Sequence, residues 1–140
     1  MTLILGLDVG DKRVGIAIGE SESKLATPYG AVDRAKGKAE IEILALCKER
    51  NISKIVAGLP LDYEGRLTEQ ALKIQSFCRR LSRRAPLEIV FVDETLTTES
   101  AKQRLEMSVK KTRELRQKGV LDAVSASIIL EVFFASVPTA

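Results

Sequence analysis

The chain has 140 residues, 45% of them hydrophobic and 29% charged, with a formal net charge of +3. That length and balance suit one soluble domain able to bury roughly 70% of its unfolded surface, and they exclude a disordered segment or a membrane bundle. There is no histidine, and the two cysteines, Cys47 and Cys78, have no CxxC spacing; His-assisted nucleophilic catalysis and a zinc site are excluded, so any chemistry must run on carboxylates, Lys, Arg or a bound hard cation.

Residues 3–9, LILGLDV, form an apolar run that reads as a first strand, and residues 14–19, VGIAIG, as a second. The chain therefore opens on a strand pattern without the sections of a signal peptide, and no run approaches 18 apolar residues; a cytoplasmic protein with no membrane contact is expected. A hairpin turn centred on Asp11 and Lys12 sets Asp8 opposite Gly15 and Gly6 opposite Ala17. One face then carries Ile4, Gly6, Asp8, Gly15, Ala17 and Gly19, and the other carries Leu5, Leu7, Val9, Val14, Ile16 and Ile18. A short third strand is expected over 25–32.

Residues 38–50 set Ile41, Leu44, Ala45 and Lys48 at helical spacing, ending before Asn51. A buried strand follows at 54–58, stopped by Pro60. Leu67, Ala71, Ile74, Cys78 and Leu81 mark a second helix, and 87–92, LEIVFV, another strand. Residues 97–107 read as helical, 108–118 as polar and basic, and 121–134 as a strongly apolar helix whose Val132, Phe133 and Phe134 are assigned to the core. The cysteines fall on apolar helix faces and read as buried free thiols. The order βββαβαβαα predicts an α/β fold: a mixed five-stranded sheet, its first three strands antiparallel and the later ones parallel, with helices on both faces. Neither a repeat nor a second-domain linker interrupts residues 1–140.

Metal-dependent phosphodiester hydrolysis needs carboxylates converging from different elements, because two divalent ions about 3.5 to 4 Å apart must be clamped around one phosphate. Asp8 near the end of the first strand, the pair Asp93 and Glu94 after the last one, and Asp122 in the first turn of the final helix are the candidates. Each alone has an ordinary role in a turn, a solvated edge or a helix dipole. Together they make a pattern. Asp122, Ser125, Ala126 and Ile129 share one helix face, whose small residues allow approach to the glycine-rich sheet face that displays Asp8. The crevice beyond the carboxyl ends of the strands is where Asp8 and Glu94 both fall. Strand periodicity does not choose between Asp93 and Glu94.

Four stretches, LGLDVGDKRVGIAIGE, IVAGLPLDYEGRLTEQA, VDETLTTESA and KGVLDAVSASIILE, resemble successive motifs of the YqgF/RuvX family and span nearly the whole chain. The resemblance implies a single RNase H-like nuclease domain, cytoplasmic and engaged in ribosome production by maturing the 5′ end of pre-16S rRNA, or acting as a Holliday junction resolvase. It also implies Asp8, Glu94 and Asp122 as the catalytic, metal-holding acids, with Glu94 as the acid of the DE pair. Hard oxygen donors match Mg²⁺ or Mn²⁺, two ions in this reading. Thr95 stands where the family often has Arg.

The D-x-G-x-x-x-x-G spacing of Asp8, Gly10 and Gly15 is also similar to the first phosphate motif of actin-like ATPases and sugar kinases, but those enzymes close two domains over ATP. Lys102, Arg104, Lys110, Lys111, Arg113, Arg116 and Lys118 form a basic stretch leading into Asp122, against only Glu106 and Glu114. Lys110, Lys111, Arg113, Arg116 and Lys118, with Lys12 and Arg13 beside Asp8, are the expected phosphate contacts of a nucleic-acid substrate, structured RNA or branched DNA. Arg79, Arg80, Arg83 and Arg84 end the second helix, where a solvated face explains them equally well. With two Tyr, four Phe and no Trp, composition supplies no obvious stacking platform, so recognition by shape and backbone is expected. A resolvase would act as a homodimer and an RNA nuclease as a monomer or homodimer. A nucleic-acid or ribosome-assembly binding module without turnover is the alternative outside the enzymes.

Overall fold

The computed structural model describes residues 2–94 and 119–136. Strands β1 (Leu3–Val9), β2 (Arg13–Glu20) and β3 (Leu25–Asp33) come first, followed by a 3-10 turn at Ala35–Gly37 and helix α1 (Lys38–Arg50). Then come β4 (Lys54–Leu59), α2 (Glu69–Arg84), β5 (Glu88–Asp93) and α3 (Val120–Ser136). The sheet order is β3-β2-β1-β4-β5. The β1–β2 and β2–β3 pairings are antiparallel, whereas β1–β4 and β4–β5 are parallel, so the mixed sheet expected from the element order is the one observed. The expected helix over 97–107 and the basic stretch at 108–118 lie outside the described residues.

The hairpin register matches the sequence reading, with Asp8 opposite Gly15 and Gly6 opposite Ala17. Because side chains alternate between faces, a slip of one residue would bury Asp8 with the large aliphatics. On the large face, Leu5, Leu7, Val9, Val14, Ile16, Ile55 and Ala57 pack with α1 and α2. On the small face, Ile4, Ala17 and Val56 pack with Ala126, Ile129, Leu130 and Phe134 of α3. Full burial of a side chain such as Leu130 contributes roughly 1.5 to 3 kcal/mol.

Helix α2 starts where Thr68 caps it, its Oγ1 accepting from Ala71 N at 3.1 Å. Helix α1 stops at Asn51, whose left-handed backbone (φ 55) turns its N–H onto the carbonyls of Cys47 and Lys48. The buried face of α1 differs from the expected one. It holds Ala39, Ile43, Leu46 and Cys47, while Ile41 is 59% exposed. Apolar and charged residues are interleaved around this helix, so periodicity offered more than one face and packing against the sheet selected one. Leu67 likewise precedes α2 and bridges Leu61 in the connecting loop. Cys47 and Cys78 are buried free thiols, as expected. Among the described residues no helix is long and apolar enough to cross a membrane.

Candidate active site

The site begins with a helix that comes unusually close to a sheet. A Cβ placed on Gly15 would lie 2.0 Å from the backbone oxygen of Asp122 and 2.9 Å from its Cβ. Only a residue without a side chain permits that approach. Since Gly15 is the cross-strand partner of Asp8, the first turn of α3 delivers Asp122 beside Asp8. Farther along α3, Ala126 and Leu130 cover Gly6, and Ile129 covers Gly58 on β4. Of the face expected to carry Asp122, Ser125, Ala126 and Ile129, it is Asp122, Ala126 and Ile129 that meet the sheet glycines.

Position on the sheet also separates the two acids of the DE pair. Val92 is the partner of Gly58, and Asp93 of Leu59. Parallel partners share a face, so Val92 lies with Gly58 on the α3 side, where it packs against the small-face core. Asp93 then falls on the α1/α2 side. Glu94, just past the strand, returns to the α3 side, its Cβ 3.6 Å from where a Cβ on Gly58 would be. Gly58 follows Ala57, the β4 partner of Leu7 in β1. Asp8 therefore sits between Gly15 on one neighbouring strand and Gly58 on the other, with Asp122 over the first and Glu94 by the second.

Arg13 completes the visible electrostatics. Its Nε donates to Asp122 Oδ2 at 2.9 Å, and the two side chains are 36% and 32% exposed. This residue, expected to touch phosphate, serves here as counter-ion to one of the acids. Among the described residues no three His, Cys, Asp or Glu side chains are gathered closely enough to enclose a metal ion. The fold brings Asp8, Glu94 and Asp122 to one edge of one face but does not close them into a cage, as expected of like charges with a guanidinium already on Asp122. Their donor chemistry still fits a hard divalent cation, being all carboxylate oxygen.

Lys12 lies in the hairpin turn that Gly10 N–H closes onto Arg13 O at 2.9 Å. Arg34 locks this turn from just past β3: its backbone N–H donates to Lys12 O at 2.9 Å, its Nη1 to Gly10 O at 2.8 Å, and its guanidinium lies 4.9 Å from the Phe77 ring. Arg34 was not singled out by the sequence, and no local pattern marks it, because its partners lie in the β1–β2 turn and in α2. Gly58 was also missed, although a lone glycine in a buried strand is a recognisable sign of close backbone approach. Lys110, Lys111, Arg113, Arg116 and Lys118 lie outside the described residues, as does Thr95. Of the α2 arginines, Arg80 stacks over Phe77 at 5.7 Å, and Arg79 is exposed.

Residues 2–136 match the family described as RuvX, Holliday junction resolvase. A protein of Crocosphaera subtropica named "Putative pre-16S rRNA nuclease" is 38% identical over 128 residues, covering 91% of this chain and 88% of its own. Relatives of the same name in Clostridioides difficile and Clostridium tetani are each 36% identical, covering 91% and 96% of this chain and 90% and 96% of theirs. Among solved structures, Thermus thermophilus RuvC in complex with a Holliday junction substrate aligns with a TM-score of 0.63 at 14% identity, over 96% of this chain and 95% of that one. A second structure of T. thermophilus RuvC gives 0.58 at 12%, over 91% and 92%. The likeness to these structures is one of fold, the RNase H-like arrangement.

Proposed function

The chain belongs to the RuvX family, and from that premise we propose that it is a metal-dependent endonuclease of structured RNA that trims the 5′ end of pre-16S rRNA during ribosome production in the cytoplasm. The observation that carries this reading is the seating of Asp122 on Gly15 beside Asp8, with Glu94 over Gly58. That arrangement needs a glycine in each of the two strands flanking β1 and a helix start pressed onto one of them, which a purely structural role for the acids does not require.

Asp8, Glu94 and Asp122 would hold one or two Mg²⁺ or Mn²⁺ ions. Bound there, such cations would supply Lewis acidity for the hydrolysis of a phosphodiester. Asp8, central in the row by register, would share the cation with both neighbouring acids. Lys12, held in the locked turn, and Arg13, at the edge of the site, offset the repulsion between phosphate and carboxylates. The basic residues at 110–118 extend that role along the substrate backbone.

The test is cleavage of an end-labelled pre-16S rRNA 5′ fragment in Mg²⁺, Mn²⁺ or EDTA, with Asp8→Asn as control. Metal-dependent cutting that the variant loses is the expected result; equal cutting by Asp8→Asn, or cutting in EDTA, overturns the proposed mechanism. The family description favours a second reading, a Holliday junction resolvase, which would act on four-way DNA as a dimer. Symmetric cutting of a four-way junction without RNA cleavage selects it. Binding without cutting selects an assembly module.

A further inference from the structure

The loop between β4 and α2 leaves the sheet beside this site, since Leu59 is paired with Asp93 and Pro60 comes two residues after Gly58. Its base is closed by Thr68, whose hydroxyl donates to Pro60 O at 2.7 Å, and by the Leu61–Leu67 bridge. Its tip is a turn from Asp62 to Gly65, with Gly65 N–H donating to Asp62 O at 2.9 Å and Gly65 taking the left-handed φ of +79 that a side chain disfavours. Asp62 N–H donates to Arg66 O at 2.9 Å. The Asp62 carboxylate in turn accepts from the backbone N–H groups of Glu64 and Arg66, both at 2.9 Å. Glu64 is paired with the Arg66 guanidinium. The loop's two acids are thus turned to internal partners rather than outward.

What this projection presents is Tyr63, 97% exposed. A large ring left in water at the tip of a tightly hydrogen-bonded turn contributes nothing to the core. Because the turn is already ordered, covering that ring with a ligand costs little further conformational entropy. The four residue steps from Leu59 to Tyr63 span at most about 14 Å, on the order of four base steps along one strand.

We propose that Tyr63 is a stacking residue on which an unpaired nucleobase of the substrate lies, a few nucleotides from the bond that is cut. This rests on the nuclease reading above and deepens it. A splayed base offers a flat face whatever its identity, so the contact selects unpaired strand over duplex rather than one sequence over another. Phosphate contacts by Lys12 and Arg13 would set register, and the ring would decide that the flanking strand is open.

The chain has no Trp and only two Tyr, so Tyr29→Phe leaves Tyr63 as the sole strong intrinsic fluorophore. In EDTA, to prevent cutting, this variant is titrated with a hairpin RNA bearing a single-stranded 5′ extension, with the same strand as DNA, with an abasic version and with a blunt duplex. Quenching by RNA, DNA or both, weakened by the abasic sites and absent with duplex, is expected. Separately, Tyr63→Ala should weaken binding of the extended strand by about 5- to 150-fold while duplex binding is unchanged, and Tyr63→Phe should bind like wild type. Equal affinities of Tyr63→Ala and wild type for the extended strand, or equal losses on both substrates, overturn the proposal. If wild type binds none of these nucleic acids, the nuclease reading falls with it; if wild type binds and Asp8→Asn abolishes cutting while Tyr63→Ala binds normally, only the stacking role falls.

Discussion

Replacing Gly15 with Ala tests the geometry of the site with one methyl group. Gly15 is outside the positive-φ set, so alanine meets no backbone penalty there and the whole effect comes from contact. The added Cβ would stand 2.0 Å from the backbone oxygen of Asp122 and 2.4 Å from its carbonyl carbon. Restoring an ordinary contact of 3.4 Å requires the start of α3 to withdraw by about 1.4 Å. No rotamer can relieve a clash between backbones, so the cost belongs at the upper end of overpacking, about 3 kcal/mol. At a few degrees per kcal/mol for a chain of this size, Tm falls by roughly 10 °C. Gly30→Ala is the matched control, since nothing lies within 4 Å of its added Cβ; its Tm stays within about 2 °C of wild type or rises. The same displacement is several times the roughly 0.2 Å tolerance of metal–ligand distances. Gly15→Ala should therefore lose Mn²⁺ affinity in a calorimetric titration while its circular dichroism remains native at 20 °C. Unchanged Tm and Mn²⁺ affinity would refute the seating of α3 on Gly15 as the device that positions Asp122.

Three further outcomes follow from particular contacts. Arg13 and a metal ion draw on the same Asp122 carboxylate, and an ion pair this exposed is worth no more than about 1 kcal/mol; Arg13→Gln should tighten Mn²⁺ up to about fivefold and lower the salt slope of nucleic-acid binding by about one, whereas looser Mn²⁺ binding would mean that Arg13 orients Asp122 for the metal. Thr68→Ala removes both the cap of α2 and the closure of the Tyr63 loop, costing about 1 kcal/mol in urea unfolding; an unchanged midpoint would show that the cap carries no stability. Burial pushes the thiols of Cys47 and Cys78 up to about 11 and about 12, from an ordinary value of 9.0. The neutral thiol is the form the fold favours, so their contribution is fully present below pH 9 and is lost as pH rises toward 11–12, because the unfolded chain ionises first. A thiol reagent at pH 8 should accordingly label neither cysteine in the native protein and both in denaturant, and rapid native labelling would contradict their burial.

Much of this protein is determined by sequence alone. The division of β1 and β2 into a face of Gly6, Asp8, Gly15 and Ala17 and a face of Leu5, Leu7, Val14 and Ile16 follows from strict strand alternation, and with it the hairpin register and the side on which α3 lies. The positions of Asp8 and Asp122 near element ends are equally local facts. Other features depend on pairings between distant segments, which no single stretch encodes. The choice of Glu94 over Asp93 for the α3 side needs the register of β5 on β4. The buried face of α1 is decided by the sheet, because its own apolar and charged residues are interleaved all round. The Arg13–Asp122 pair joins residues 109 positions apart, and the locked turn at Gly10 waits on Arg34 and Phe77 from other elements. Periodicity fixes which side of an element a residue occupies; only packing decides what stands opposite it, and the proposed chemistry depends on that.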